Sequence, residues 1–291
     1  MNNQLKTIFL LGVMTALLVG IGRVMSPANT YVFVAMAAVM NLGAYFFSDR
    51  VVLRLSGARE VSEAEAPALH AIVGELAQRA GIPKPRVCIM DQAQPNAFAT
   101  GRNPKHGVVA VTRGILELMD PRELRAVLAH EIGHIAHRDI LISSIAAVMA
   151  TAISYAAQSL MWAGLFGGRR DDDDRGSGAA ALLMMLVAPL AATLVQLGIS
   201  RSREFLADQA GAGFSGEPAE LAGALRKLEQ YAQRIPADVA PATASLYIVN
   251  PLAAGQQFAR LFSTHPPTEE RIARLMTMAG QATVHQGGGW R

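Results

Sequence analysis

Two histidines four residues apart, His130 and His134, enclose a glutamate in the segment His-Glu-Ile-Gly-His. On an α-helix this spacing projects both imidazoles from one face, where their nitrogens can reach a single metal ion. Glu131 is rotated away from that face but lies beside it, so it can approach a water molecule on the metal. The pattern predicts two zinc ligands and a general base for hydrolysis.

A catalytic zinc site takes three protein ligands and a water molecule, so a third ligand is needed. The candidate is Glu204, in the segment Ser-Arg-Glu-Phe-Leu-Ala-Asp. Asp208 follows four residues later on the same helical face. There it can accept a hydrogen bond from a ligand histidine and fix the orientation of the ring. The alternative interpretation is a helix that carries ordinary charged residues.

Long stretches without charged residues lie on both sides of these segments. A bilayer-spanning helix needs about 17–25 largely apolar residues. Three stretches meet this length, and the first, between Lys6 and Arg23, is short. Charged residues make up 17% of the chain and apolar residues 51%. We therefore predict four membrane spans, within residues 7–22, 24–48, 140–168 and 176–200. A cleaved signal peptide is the alternative for the first, and two buried soluble helices for the last two.

The third and fourth spans occupy nearly all of the chain between His134 and Glu204. A membrane hairpin brings its two ends together, with His134 about 9 Å before it and Glu204 about 6 Å after it. The metal should therefore lie close to the membrane surface. His137 is too far along the helix from His130 to share its ion, and Arg138 and Asp139 are expected to be interface anchors.

Basic residues gather after spans two and four, which favours the cytoplasmic side for the polar segments that follow. They are Arg50, Arg54, Arg59, Arg201 and Arg203. The arginines between spans three and four oppose this orientation. The formal net charge of +3 is too small and too dispersed to indicate binding of nucleic acid.

Two polar blocks, 50–139 and 201–281, are expected to pack into one domain because each supplies part of the site. Strand-like runs at 86–90 and 107–112 predict a β-hairpin or a small sheet. A helix capped by Asp120 follows. Because no proline interrupts the chain from Pro121 into the third span, this helix is expected to run on into the membrane, either straight or with a bend. The other divisions are spans one and two in 1–49, spans three and four with the acidic run Asp171–Asp174 in 140–200, and a disordered tail in 282–291. The fold class is a multi-pass α-helical membrane protein with a cytoplasmic α+β domain.

The segments AHEIGHIAHRD, SREFLAD and THPPTEERIARL, separated as they are here, resemble the HtpX heat-shock membrane proteases. That family is related to the CAAX prenyl endopeptidases and belongs to the gluzincins. The resemblance implies a zincin-like (gluzincin) protease domain in which His130, His134 and Glu204 bind one zinc ion and Glu131 is the catalytic base. It also implies a bacterial inner-membrane enzyme of the stress response that degrades misfolded or damaged membrane proteins from the cytoplasmic side.

Further site residues follow from the resemblance alone. It implies that His265 and Arg271 assist catalysis, and that Asn96, Ala97 and Phe98 lie along an extended substrate. The expected partners are polypeptide substrates and the lipid bilayer, and the sequence does not indicate an oligomeric state. A more specific processing peptidase shares every motif. A non-catalytic membrane scaffold with a structural metal is disfavoured, because such sites are closed by four protein ligands and only three are found.

Overall fold

The computed structural model describes residues 3–25, 28, 30–149, 201–234, 247–249 and 266–287. Several predictions made from the sequence fall outside these residues. They are the third span beyond residue 149, the fourth span, the acidic run Asp171–Asp174, the proposed catalytic His265 and the last four residues of the tail.

Two long helices, α1 (Asn3–Met25) and α2 (Thr30–Leu55), begin the chain and pack against each other. Asn41 of α2 donates to the carbonyl of Leu11 (3.2 Å) and to the hydroxyl of Thr15 (2.7 Å), a polar link between two apolar helices. Among the described helices, α2 alone is long and apolar enough to cross a membrane, judged by length and composition.

A mixed sheet of four strands follows, in the order β1-β2-β4-β3. Its strands are β1 (Ala58–Glu60), β2 (Arg86–Met90), β3 (Ala97–Thr100) and β4 (Val108–Thr112). The small sheet predicted from the sequence is present, but β2 and β4 are parallel and do not form a hairpin. The segment between them forms β3, which pairs antiparallel with β4 and supplies the hairpin instead.

Helices α3 (Pro67–Arg79), α4 (Arg113–Leu118) and α5 (Pro121–Ala136) pack around the sheet. Helix α5 begins as the sequence predicts. The Asp120 carboxylate accepts from the backbone N–H groups of Arg122 and Glu123, and the Glu123 side chain accepts from the N–H of Asp120. This capping box satisfies groups that a helix start otherwise leaves unpaired.

Helix α5 does not continue without interruption into the next apolar segment. It ends at Ala136, Arg138 takes a left-handed backbone conformation (φ 57°), and α6 (Ile140–Met149) begins two residues later. A positive φ is uncommon for a residue other than glycine, and it turns the chain sharply. The expected helix is therefore divided into two.

Three further helices complete the described chain: α7 (Arg201–Ser215), α8 (Pro218–Arg234) and α9 (Thr268–Gly287). Helix α8 buries the leucines at 221, 225 and 228 against the core that it shares with α5. Helix α9 continues to Gly287, whereas the sequence places a disordered tail from residue 282. Residues 281–286 contain no glycine or proline, and the helix ends at the first of three consecutive glycines.

Candidate active site

The segments that carry the candidate metal ligands meet where α5 and α7 cross at close range. A Cβ atom added to Gly211 of α7 would lie 2.9 Å from the backbone nitrogen of His130 and 3.0 Å from its Cα. A Cβ atom on Gly133 of α5 would lie 3.3 Å from the carbonyl oxygen of Ala207. The absence of a side chain at both positions lets the helices approach, and this brings Glu204 to the face that carries His130.

Three residues, His130, His134 and Glu204, form a small triangle at this crossing. The Nε2 atoms of His130 and His134 are 3.2 Å apart, and Glu204 oxygens lie 3.8 Å and 3.7 Å from them respectively. Ligand atoms about 2.0–2.1 Å from a tetrahedral metal ion are about 3.3 Å from one another. The residues present therefore fit a divalent metal ion with one coordination position left for water.

His130 is held by a buried charged network. Its Nδ1 lies 2.9 Å from Oδ1 of Asp208, and Arg271 binds both oxygens of that carboxylate (2.9 and 2.7 Å). Burial opposes ionisation of Asp208, but Arg271 and His130 outweigh it and lower the pKa of Asp208 to about 2. An ionised carboxylate beside Nδ1 favours a proton there, which leaves Nε2 free to bind a metal.

His134 has a carboxylate partner that the sequence interpretation missed. Its Nδ1 is hydrogen-bonded to Asp139, with oxygens at 3.1 and 3.2 Å, and Asp139 is buried (2% exposed). Burial lowers the pKa of His134, but Asp139, Glu204 and Glu131 outweigh it and raise that pKa to about 10. Asp139 is therefore not the interface anchor expected from its position at a membrane boundary. Its role depends on the chain turn at Arg138, which has no signal in the sequence.

Glu131 lies between the ligand triangle and the sheet. Its side chain is buried and accepts a hydrogen bond from the backbone N–H of Ala99 in β3. Burial raises the pKa of Glu131 to about 8, while His134 opposes that rise. The carboxyl group is thus placed beside an edge strand of the sheet.

The segment expected to lie along the substrate connects to the same network. Ala97 and Phe98 are buried in β3, and Asn96 precedes them. The Asn96 side-chain oxygen accepts from the backbone N–H of Ile248 (3.2 Å), and Arg271 donates to the carbonyl oxygen of the same residue (3.1 Å). Asn96 and Arg271 therefore hold the two sides of one backbone segment next to the metal ligands.

A sequence model of peptidase family M48 matches residues 63–279, well over half of the chain. The chain belongs to peptidase family M48. Among its relatives, the Protease HtpX homolog of Thermodesulfovibrio yellowstonii is 56% identical over 279 residues, covering 95% of this chain and 99% of the relative. That of a Sulfurihydrogenibium species is 51% identical over 288 residues, covering 96% and 97%. The family match and the high identity to these relatives show that this M48 chain is a membrane-associated metalloprotease.

The fold of this M48 chain is also similar to a solved structure. The crystal structure of S. mikatae Ste24p superimposes with a TM-score of 0.50 at 18% sequence identity. The match covers 91% of this chain, which spans 62% of the length of that protein. At this level of identity the likeness concerns the fold alone.

The structure brings together most of the candidate site residues predicted from the sequence. His130, His134 and Glu204 form the triangle, Asp208 and Arg271 lie behind it, and Glu131 faces β3. His265 lies outside the described residues. The sequence interpretation missed the positions of Asp139, Gly133 and Gly211. A glycine inside a helix is a signal of close packing, and Gly211 could have been found in that way.

Proposed function

We propose that this M48 metalloprotease is a zinc endopeptidase that cleaves misfolded or damaged membrane proteins at the cytoplasmic face of a bacterial inner membrane. The observation that carries the proposal is the buried triangle of two imidazoles and a carboxylate, with Glu131 between it and an edge strand. High identity to proteins named Protease HtpX homolog over nearly the full length supports it.

The ligand chemistry favours zinc over a harder cation. Two imidazole nitrogens and one carboxylate are a common catalytic zinc set, whereas magnesium and calcium prefer oxygen ligands. His130, His134 and Glu204 would hold the ion. When bound, zinc acts as a Lewis acid and lowers the pKa of a coordinated water molecule to about 7. A site with three protein ligands suits catalysis rather than a closed structural role.

Glu131 is the proton carrier in the proposed reaction. Its carboxylate accepts a proton from the water that attacks the peptide carbonyl and passes the proton to the leaving nitrogen. The hydrogen bond from Ala99 holds Glu131 at the strand along which substrate would lie. In this way a single side chain serves both proton transfers without a change of position.

The edge strand β3 suits an extended substrate that is bound with little sequence selectivity. Strand β3 pairs with β4 along one edge. A substrate can therefore add as a further strand along the opposite edge, which faces Glu131. Backbone hydrogen bonds to a strand give affinity with little dependence on side chains. Broad specificity of this kind suits the removal of damaged proteins. We assign Asn96, Ala97 and Phe98 to this substrate strand, and His265 and Arg271 to support of the reaction.

The membrane arrangement is proposed from the sequence, with support from two helices. Helix α2 has the length and composition of a membrane span, and the apolar α6 starts six residues after His134. We therefore place the active site at the bilayer surface, with four spans and the protease domain divided between residues 50–139 and 201–281. The basic residues that follow spans two and four favour the cytoplasm for that domain.

The decisive experiment separates metal binding from proton transfer. Full-length protein in detergent should contain one zinc ion per chain and cleave casein, and a chelator should abolish the cleavage. Glu131→Gln should keep the zinc and cleave casein at least about 100-fold more slowly, because the base is lost. Undiminished cleavage by Glu131→Gln would remove Glu131 from the mechanism.

The matched variant is Glu204→Ala, which removes a ligand instead of the base. We expect it to lose both zinc and cleavage, because two histidines alone hold zinc weakly. Full zinc occupancy in Glu204→Ala would show that the third ligand lies elsewhere. Metal analysis of both variants beside the unchanged protein distinguishes the two roles.

A further inference from the structure

Each ligand histidine has a buried carboxylate at its Nδ1 atom. Oδ1 of Asp208 lies 2.9 Å from Nδ1 of His130, and Oδ2 of Asp139 lies 3.1 Å from Nδ1 of His134. With both Nδ1 atoms occupied, both Nε2 atoms face one point, and they are 3.2 Å apart. Only 3% of the Asp139 side chain is exposed, so this contact is unlike an incidental ion pair on the surface.

The backbone break at Arg138 makes this contact possible. In an unbroken helix, residues five apart point in directions that differ by about 140°, so Asp139 would face away from His134. The left-handed conformation of Arg138 (φ 57°) turns the chain back, and the carboxylate comes to lie beside the imidazole. The contact therefore depends on a specific and uncommon backbone geometry.

Asp139 also directly precedes α6, the helix that leads into the third predicted span. Its carbonyl oxygen accepts from the backbone N–H of Ser143 (3.3 Å) and from the Ser143 hydroxyl (3.2 Å), which are the first bonds of α6. The side chain of Asp139 thus contacts the metal site while its backbone starts the apolar helix. One residue therefore links the metal site, through its side chain, to α6, through its backbone.

A third element contributes a charge at this position. Arg203 of α7 is buried, and although burial lowers its pKa, the carboxylates of Asp139 and Glu204 oppose that change. The carboxylate of Asp139 therefore contacts His134 of α5 and lies within electrostatic range of the Arg203 charge on α7. The buried Asp139 carboxylate thus has basic side chains near it from two different helices.

We propose that Asp139 is a positioning residue that orients His134 for metal binding and ties the metal site to the first turn of α6. This inference rests on the proposed metal site. It extends that proposal by assigning the orientation of one ligand to the segment that enters the membrane. A shift of α6 would move Asp139, and with it the imidazole of His134.

The test uses three substitutions in the full-length Glu131→Gln protein in detergent, so that metal binding is measured without proteolysis. Asp139→Ala removes the carboxylate, and Asp139→Asn keeps an oxygen that can accept from Nδ1. Ser143→Ala is the matched control, because it removes a hydroxyl that bonds the Asp139 carbonyl and leaves the carboxylate in place. The readouts are the Zn²⁺ dissociation constant from chelator competition and the visible absorption spectrum of the Co²⁺-loaded protein.

Asp139→Ala should bind Zn²⁺ about 10–100-fold more weakly, the usual effect of losing the partner of a ligand histidine. Its Co²⁺ spectrum should change because the imidazole is no longer held. Asp139→Asn should recover most of the affinity, and Ser143→Ala should match the parent protein. The metal-free Asp139→Asn and Ser143→Ala proteins should melt at the temperature of the parent, so the affinity recovered in Asp139→Asn reports on the ligand and not on folding.

Two results would overturn the proposal. One is an Asp139→Ala protein with the Zn²⁺ affinity and Co²⁺ spectrum of its parent. The other is equal loss of affinity in Asp139→Ala and Asp139→Asn together with lower melting temperatures of the metal-free proteins, which indicates a structural role. Failure of the proposed function gives a different result, because the parent protein itself would then bind no Zn²⁺.

Discussion

The two histidines proposed as metal ligands have surroundings of different kinds. His130 is almost fully buried, and its carboxylate partner is bound by Arg271, which also bonds the backbone of Ile248. The side chain of His134 is 18% exposed, and its partner Asp139 starts the apolar helix α6. One side of the site is thus fixed by the interior of the protease domain. The other is fixed by the segment that leads toward the membrane.

Because of this difference, the His130 side of the site is held rigidly, whereas the His134 side can be adjusted. A network of buried charges is costly to disrupt, because each member left without its partner remains ionised in a medium of low polarity. The His130 side therefore has little freedom to move without unfolding of the domain. The His134 side depends on a single carboxylate and one turn of backbone, so it can respond to the position of α6.

The largest predicted effect concerns the His130 side. Asp208→Ala leaves the fully buried Arg271 without its bidentate partner and should destabilise the metal-free protein by about 3–5 kcal/mol. Urea unfolding in detergent measures this loss. Asp139→Ala is the matched substitution on the His134 side and should cost clearly less. Equal losses from the two substitutions would contradict the comparison.

A smaller effect is expected where α7 packs on the backbone of His130. Gly211→Ala places a methyl group within about 3 Å of backbone atoms that cannot move aside, and overpacking of this kind costs about 1–3 kcal/mol. It should also weaken Zn²⁺ binding, because α7 carries Glu204. The measurements are urea unfolding and chelator competition.

Gly213→Ala is the control for this prediction, because an added Cβ atom there meets nothing within 4 Å among the described atoms. Alanine favours a helix over glycine by about 1 kcal/mol, so Gly213→Ala should be neutral or stabilising. If both substitutions destabilised the protein equally, the cause would not be packing of α7 on His130.

The central part of the site could be predicted from the sequence because its signals are local. Asp120 and Pro121 mark the start of α5, and the four-residue spacings place His130 with His134 and Glu204 with Asp208. Each pair lies on one helix, so helical geometry alone brings its members to one face. These parts needed no knowledge of the tertiary structure.

The remaining parts depend on contacts between distant segments or on rare backbone geometry. The parallel pairing of β2 with β4 depends on β3 taking the edge position, which no local pattern specifies. The bond from Ile248 to Asn96 joins residues 152 positions apart. Asp139 reaches His134 only because Arg138 adopts a positive φ without being glycine. The sequence directly around Arg138 contains no glycine or proline that would predict an end of the helix there.

The smallest predicted effect concerns the backbone break at Arg138. Glycine adopts a positive φ readily, whereas a β-branched side chain is strained there by about 1 kcal/mol or more. Arg138→Gly should therefore keep the Zn²⁺ affinity of the parent protein, and Arg138→Val should weaken it. Arg138 is exposed, so both variants remove the same charge and differ only in backbone preference. Equal weakening by both would assign the effect to the lost arginine. Weakening by valine alone, measured by chelator competition, would show that the turn between α5 and α6 holds Asp139 on the metal site.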